Sequence, residues 1–183
     1  RKELLSKNYM HYSKKTLDNG LRVITVPNTE SLAATILVLT ETGSKYETRA
    51  TNGLAHFLEH MIFKGTPTRP KSIDISHELE SIGAQYNAFT SQEYTGYYAK
   101  VSARHFEKAL DIIRMYQDMP HRHVQDMIME LLYGDTPAGW NIAGKVETVR
   151  NFTQQDFINY RKEHYTTGTT IVVVSGNYGD IDI

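Results

Sequence analysis

The chain has no cysteine among its 183 residues. Disulfides are therefore excluded, and so is a zinc site built on thiolates. Any metal held here must be held by histidine and carboxylate. An excess of positive charge is missing as well: 20 Lys and Arg face 21 Asp and Glu, the net charge is −1, and no basic block occurs. That balance lacks the electrostatic footprint of a nucleic-acid binder. Long apolar runs are absent too. Stretches such as Ile36-Leu37-Val38-Leu39 fall far short of the ~20 residues needed to span a bilayer. The opening residues carry no apolar leader core, which suits a cytoplasmic protein; since Arg stands first rather than Met, a removed leader stays open. Low-complexity linkers and short-period repeats are not found. The loop from Gly134 to Gly144 lacks the glycine and lysine spacing of a phosphate cradle. What remains is an ordinary composition, 40% hydrophobic and 22% charged, in a chain long enough for one domain with a real core.

Periodicity lays out the elements. Tyr12 to Thr16, Asp18-Asn19-Gly20 and Leu21 to Val26 read as a hairpin whose Asn-Gly pair supplies the positive φ angles of a tight turn. Ala33 to Thr40 reads as a strand covered on both faces. A helix follows from Gly53. Another has Ser72 as N-cap, repeats Ile75, Leu79 and Ile82, and is closed by Gly83. Gln85 to Thr90 and Glu93 to Val101 form a second hairpin across Ser91-Gln92. Helices are expected around Phe106 to Ile113, from Pro120 through Leu132, and after a Thr153 cap with Phe157 and Tyr160 inward; Thr170 to Ser175 is a last buried strand. The order β-β-β-α-α-β-β-α-α-α-β gives an α+β domain, with helices against a largely antiparallel sheet.

One stretch carries chemistry: Gly53-Leu54-Ala55-His56-Phe57-Leu58-Glu59-His60-Met61-Ile62-Phe63. On a helix, Leu54, Phe57, Leu58, Met61 and Ile62 share one side, and His56, Glu59 and His60 the other. Imidazoles at i and i+4 stand one turn apart and can share a cation. The carboxylate at i+3 projects beside them, placed to take a proton from a metal-activated water. A merely solvated polar face is the bland alternative, but two His and a Glu on one turn are a poor choice for solubility. His11, His77, His105 and His164 are isolated, and His121 and His123 point to different sides of their helix. Tyr94, Tyr97 and Tyr98 are read as strand packing, and Asn151-Phe152-Thr153 as a helix cap.

With its continuation Lys64-Gly65-Thr66, this helix resembles the zinc helix of the pitrilysin/insulinase metallopeptidases. Asn87-Ala88-Phe89-Thr90-Ser91 with Glu93-Tyr94-Thr95 resembles their substrate strand; Leu132 to Pro137 and the terminal Val-Val-Val-Ser-Gly-Asn at 172–177 also match. The resemblance covers a core of about 12–177, as an N-terminal domain spanning residues 1–183. It implies a zinc endopeptidase: Zn2+ on His56 and His60, Glu59 as general base, and Asn87, Ala88 and Phe89 at an edge strand that takes an extended peptide as an added strand. The partners it implies are a peptide substrate and a C-terminal homologous half or partner subunit, or a second copy of the chain. A non-catalytic peptide-binding or scaffold subunit with an incomplete metal site is the alternative.

Two departures bear on that choice. The family's third ligand is a Glu on a helix just before the equivalent of Arg114-Met115-Tyr116, but here Asp111-Ile112-Ile113 runs straight into Arg114. A segment is expected to be missing at 113/114. Neither Asp111, on too short a stem, nor Glu130, in a different family segment, fits the part. The second homologous half is also absent, so this piece alone is expected to be inactive.

Overall fold

The computed structural model describes residues 11–61, 69, 71–113, 136–137 and 140–181. Among them, six strands form one mixed sheet in the order β1-β2-β6-β3-β5-β4. They are β1 (Ser13–Thr16), β2 (Arg22–Pro27), β3 (Ala33–Thr40), β4 (Gln85–Thr90), β5 (Thr95–Ser102) and β6 (Thr170–Gly176). β2 and β6 run parallel, and every other neighbouring pair is antiparallel. The helices are α1 (Leu54–Met61), α2 (Ser72–Ser81), α3 (Phe106–Ile113), α4 (Val146–Arg150) and α5 (Gln154–His164).

Alternation along the strands gives the sheet two unlike faces. Ala34 and Ile36 of β3, Val174 of β6, Ala88 of β4 and Tyr97, Ala99 and Val101 of β5 bury one face under Ile75 and Leu79 of α2 and Phe106, Ala109, Ile112 and Ile113 of α3. Leu54, Ala55 and Leu58 of α1 meet Tyr160 of α5 in an adjoining cluster, which Tyr165 joins to the first. Each fully buried Leu, Ile or Phe contributes about 1.5–3 kcal/mol, so these clusters hold the helices to one face. On the other face, Leu37, Val173 and Tyr98 stand in register and are half-buried. Among the described residues, β3 is therefore buried on one face, at Ala34, Ile36 and Thr40, and half-buried on the other: a continuous apolar run marks a strand but not how many layers lie over it.

Local differences from the sequence reading have local causes. In the first hairpin only Gly20 takes a positive φ, +86°, because Gly20 N–H closes on Leu17 C=O at 2.8 Å in a turn that leaves Asn19 on the ordinary side. α2 is capped at Lys71, with Ser72 its first helical residue; Asp74 accepts from Lys71 N–H at 3.2 Å. β5 begins at Thr95 because Ser91 N–H donates to Tyr94 C=O at 2.9 Å, making Gln92-Glu93 the turn. Thr153 caps α5 as expected, in a reciprocal box with Asp156. The expected helix from Pro120 through Leu132, the seam beyond Ile113, and His121 and His123 lie outside the described residues.

Candidate metallopeptidase site

α1 begins where the chain needs glycine. Gly53 has a φ of +97° and lies so close to the 143–144 backbone that a Cβ there would sit 2.6 Å from Ala143 C=O. The helix N-terminus is held by Glu47, only 4% exposed, whose carboxylate accepts from Gly53 N–H at 2.8 Å, Ala55 N–H at 2.7 Å and Asn52 Nδ2 at 3.2 Å. An acceptor aimed at the first N–H groups satisfies donors that the helix leaves unpaired and complements its dipole. Burial pushes the Glu47 carboxyl above the usual carboxylate range, and these hydrogen bonds oppose that shift. Asn52 also donates to Asn141 C=O at 3.2 Å, tying α1 to the 140–144 loop.

From this anchored start, α1 presents His56, Glu59 and His60. The two imidazole centroids are 4.5 Å apart, with the rings inclined at 69°. They are half-buried, while Glu59 is 2% exposed. The polar side of α1 is thus not a solvated face: it lies against β4, and Thr90 Oγ1 donates to Glu59 Oε2. Burying a carboxylate without hydrogen bonds costs several kcal/mol, so this contact is an expensive one to lose. Two phenols lie nearby, Tyr97 and Tyr165, with their oxygens 3.1 Å apart. Burial raises both, Tyr165 to about 12 and Tyr97 well above the usual phenol range, and the Glu59 charge adds to the shift, so both stay protonated at neutral pH.

Among the described residues, β4 is the last strand of the sheet. Ser91 and Tyr94 form a hydrogen-bonded pair at the turn, and the register continues without a bulge. Alternation then makes Ala88↔Tyr97 and Thr90↔Thr95 non-hydrogen-bonded pairs, so that the N–H and C=O groups of Ala88 and Thr90 point away from β5 toward the open edge. Asn87 Oδ1 accepts from that outward Ala88 N–H at 2.8 Å. The Asn87 side chain thus bonds along its own strand, not across the hairpin. Phe89 lies on the opposite face from Thr90, over Gly96, with Tyr94 edge-on at 6.0 Å.

Two imidazoles one turn apart suit zinc, whose ligand set is nitrogen, sulfur and carboxylate. Among the described residues, no group of three His, Asp or Glu is placed to hold an ion. Asp111 accepts from Arg69 Nη2 at 2.7 Å, and Arg69 also bridges to Glu78. Glu130 lies outside the described residues. The structure therefore fits a metal in two of its donors.

A sheet with helices on one face, and an HxxEH helix beside its open edge, define a metallopeptidase domain of the inverted-motif class. The sequence pattern of the insulinase family, peptidase family M16, matches residues 22–120. The chain belongs to that family. It is 36% identical over 190 residues to an uncharacterised zinc protease of Bacillus subtilis, in a match that takes in 90% of this chain and 46% of that protein. It is 37% identical to a probable mitochondrial-processing peptidase β subunit of Arabidopsis thaliana, covering 88% of this chain and 35% of that one. A crystal structure of a protease from Helicobacter pylori shares the fold over 93% of this chain and 47% of its own, with a TM-score of 0.76 at 24% identity. The chain thus spans about half the length of the curated relatives it matches, or less.

The sequence pattern alone missed Glu47, Thr90, Thr95 and Tyr165. Glu47 precedes the N–H groups it caps by 6 and 8 residues, with no helical spacing to mark it. Thr90 had a usable signal: two residues after Ala88 on a strand, it shares Ala88's inward face.

Proposed function

We propose that this domain carries the catalytic half-site of a zinc-dependent endopeptidase acting on extended or unfolded peptide segments. One observation carries the reading: the His56/His60 pair and the buried Glu59 lie on a helix packed against β4, whose outward backbone groups are placed to pair with a peptide. A peptide added antiparallel or parallel to that edge would be held by main-chain hydrogen bonds, largely independent of its sequence. Ala88 would offer the first of them once Asn87 Oδ1 lets go of its N–H. His56 and His60 would hold zinc. Zinc, when bound, polarises the scissile carbonyl and acidifies water. Glu59 takes the proton from the attacking water and delivers it to the leaving amine.

The third donor would come from the family segment expected at 113/114. The match to the Bacillus protein runs over 190 residues yet takes in only 90% of the 183 residues of this chain, which supports an internal segment being absent from this sequence. The half-buried sheet face around Leu37, Val173 and Tyr98 is available to a homologous half or partner subunit. The second reading, a non-catalytic peptide-binding subunit, is favoured by one observation: only two of the described residues offer themselves as metal donors.

The test is zinc stoichiometry and cleavage of an unfolded peptide by the intact protein, with Glu59→Gln beside it. The expected result is one zinc per chain in both proteins, removed by chelator, with turnover lost in the variant. Undiminished turnover by Glu59→Gln would refute the assigned base. Absence of zinc from the intact protein would support the scaffold reading.

A further inference from the structure

We propose that Thr90 is the positioning residue of Glu59, tying the general base to the strand that receives the peptide. The inference rests on the peptidase reading above and deepens it. Glu59, Thr90 and Thr95 are 2%, 3% and 0% exposed, so water does not substitute freely for their hydrogen bonds. Thr90 Oγ1 gives its single proton to Glu59 Oε2. Its oxygen stands 3.4 Å from Thr95 Oγ1, and the Thr95 hydroxyl donates to Thr42 C=O at 3.1 Å. The arrangement follows from register. Thr90 and Thr95 are directly opposed in a non-hydrogen-bonded pair, where cross-strand side chains come closest.

Two consequences follow. Holding Oε2 fixes the plane of the carboxylate and hence the direction of Oε1. A carboxylate rotates easily about its last torsion, and a base must lie within hydrogen-bond reach of its proton. Threonine suits the task because its β-branch restricts χ1. The second consequence is mechanical. The backbone N–H and C=O of Thr90 point to the open edge, while its side chain points inward to Glu59. The same residue therefore faces the peptide through its main chain and the base through its hydroxyl. Strand addition at the edge and orientation of the base are set by one Cα.

Removing a group that fixes catalytic geometry lowers turnover by roughly 10- to 100-fold without a matching loss of ground-state binding. The experiment uses the intact protein and the unfolded-peptide assay. Thr90→Val keeps shape and removes the hydroxyl, Thr90→Ala removes it independently should the first variant fail to fold, and Thr90→Ser restores it. Expected for the aliphatic variants are a kcat lower by that factor, KM within about twofold, and zinc content equal to the unsubstituted protein. Thr90→Ser should recover most of the loss. In a Glu59→Gln background, Thr90→Val should produce no further fall in residual rate, since the group it orients is already gone. An aliphatic variant with kcat within about threefold, a serine variant as slow as valine, or a loss that tracks zinc content would each overturn the proposal. The parent reading fails separately, by full turnover of Glu59→Gln alone.

Discussion

The substitution Gly53→Ala tests how α1 is anchored, and Gly83→Ala is its control. Both glycines have positive φ, +97° and +65°, where a Cβ costs about 1–2 kcal/mol. Their surroundings differ. A Cβ at Gly83 meets nothing within 4 Å, whereas at Gly53 it would lie 2.6 Å from Ala143 O, 2.9 Å from Ala143 C and 2.9 Å from Gly144 Cα. These are backbone atoms and cannot rotate aside. Gly144, with φ +74°, is equally close in return: its Cβ would lie 2.3 Å from Asn52 O. Forcing an extra carbon into such a contact adds about 1–3 kcal/mol. Gly53→Ala should therefore cost about 3 kcal/mol and Gly83→Ala about 1 kcal/mol. For a domain of this size each kcal/mol moves the melting temperature by about 2–4 °C, giving losses of about 10 °C and about 3 °C. Thermal melts followed by circular dichroism measure both. Gly53→Ala should also weaken zinc retention at limiting metal, since the clash can be relieved by sliding the turn that precedes His56. Equal melting losses for the two variants would show that the 143–144 backbone does not brace α1.

Three further outcomes are expected. Tyr160→Phe removes the acceptor of the Thr42 hydroxyl, 2.8 Å away and fully buried, and should cost about 1–3 kcal/mol in denaturant melts; adding Thr42→Val should recover part of that loss, and strict additivity would contradict the pairing. Binding of an uncleaved extended peptide to Glu59→Gln protein should slow amide exchange at Tyr86, Ala88 and Thr90, which face the edge, while leaving Asn87 and Phe89 little changed; the reverse pattern would refute the register. Burial lowers the pKa of His164, whose ring lies 4.2 Å from that of Tyr160, although the Glu163 charge opposes the shift. A folded pKa below the unfolded one means that stability is lost as pH falls through the histidine range, and His164→Phe melts from pH 8 to 5 should show a shallower acid slope. An unchanged slope would exclude His164 as a source.

What could be read from the sequence was what short-range physics determines. β3 has the bounds expected of it, Ala33–Thr40, because a β-rich apolar run has one reading at that length. The Thr153 cap and the helix after it follow from a box closed within four residues. His56, Glu59 and His60 were legible for the same reason: one helical turn contains them. The short α4, Val146–Arg150, has no buried residue and so no apolar period to reveal it. Ile171 to Val174 announced a strand, but not that Val174 alone of it would be fully buried, nor that it would insert parallel to β2 and antiparallel to β3, since that depends on partners more than 130 residues away.

The candidate site divides along the same line. The proposed metal donors and proposed base come from one local pattern, but the environment of Glu59 comes from sheet register. Read alone, α1 has a greasy side and a polar side that points to chemistry, but nothing in it says what the polar side packs against. Placed against β4, the polar side becomes an interior surface, and Glu59 becomes a carboxylate that must be hydrogen-bonded to be tolerated. Sheet register supplies that bond: of the inward positions on β4, Tyr86, Ala88 and Thr90, it is Thr90 whose hydroxyl donates to Glu59. The motif thus identifies which atoms could do the chemistry, while the edge strand determines how the base is aimed.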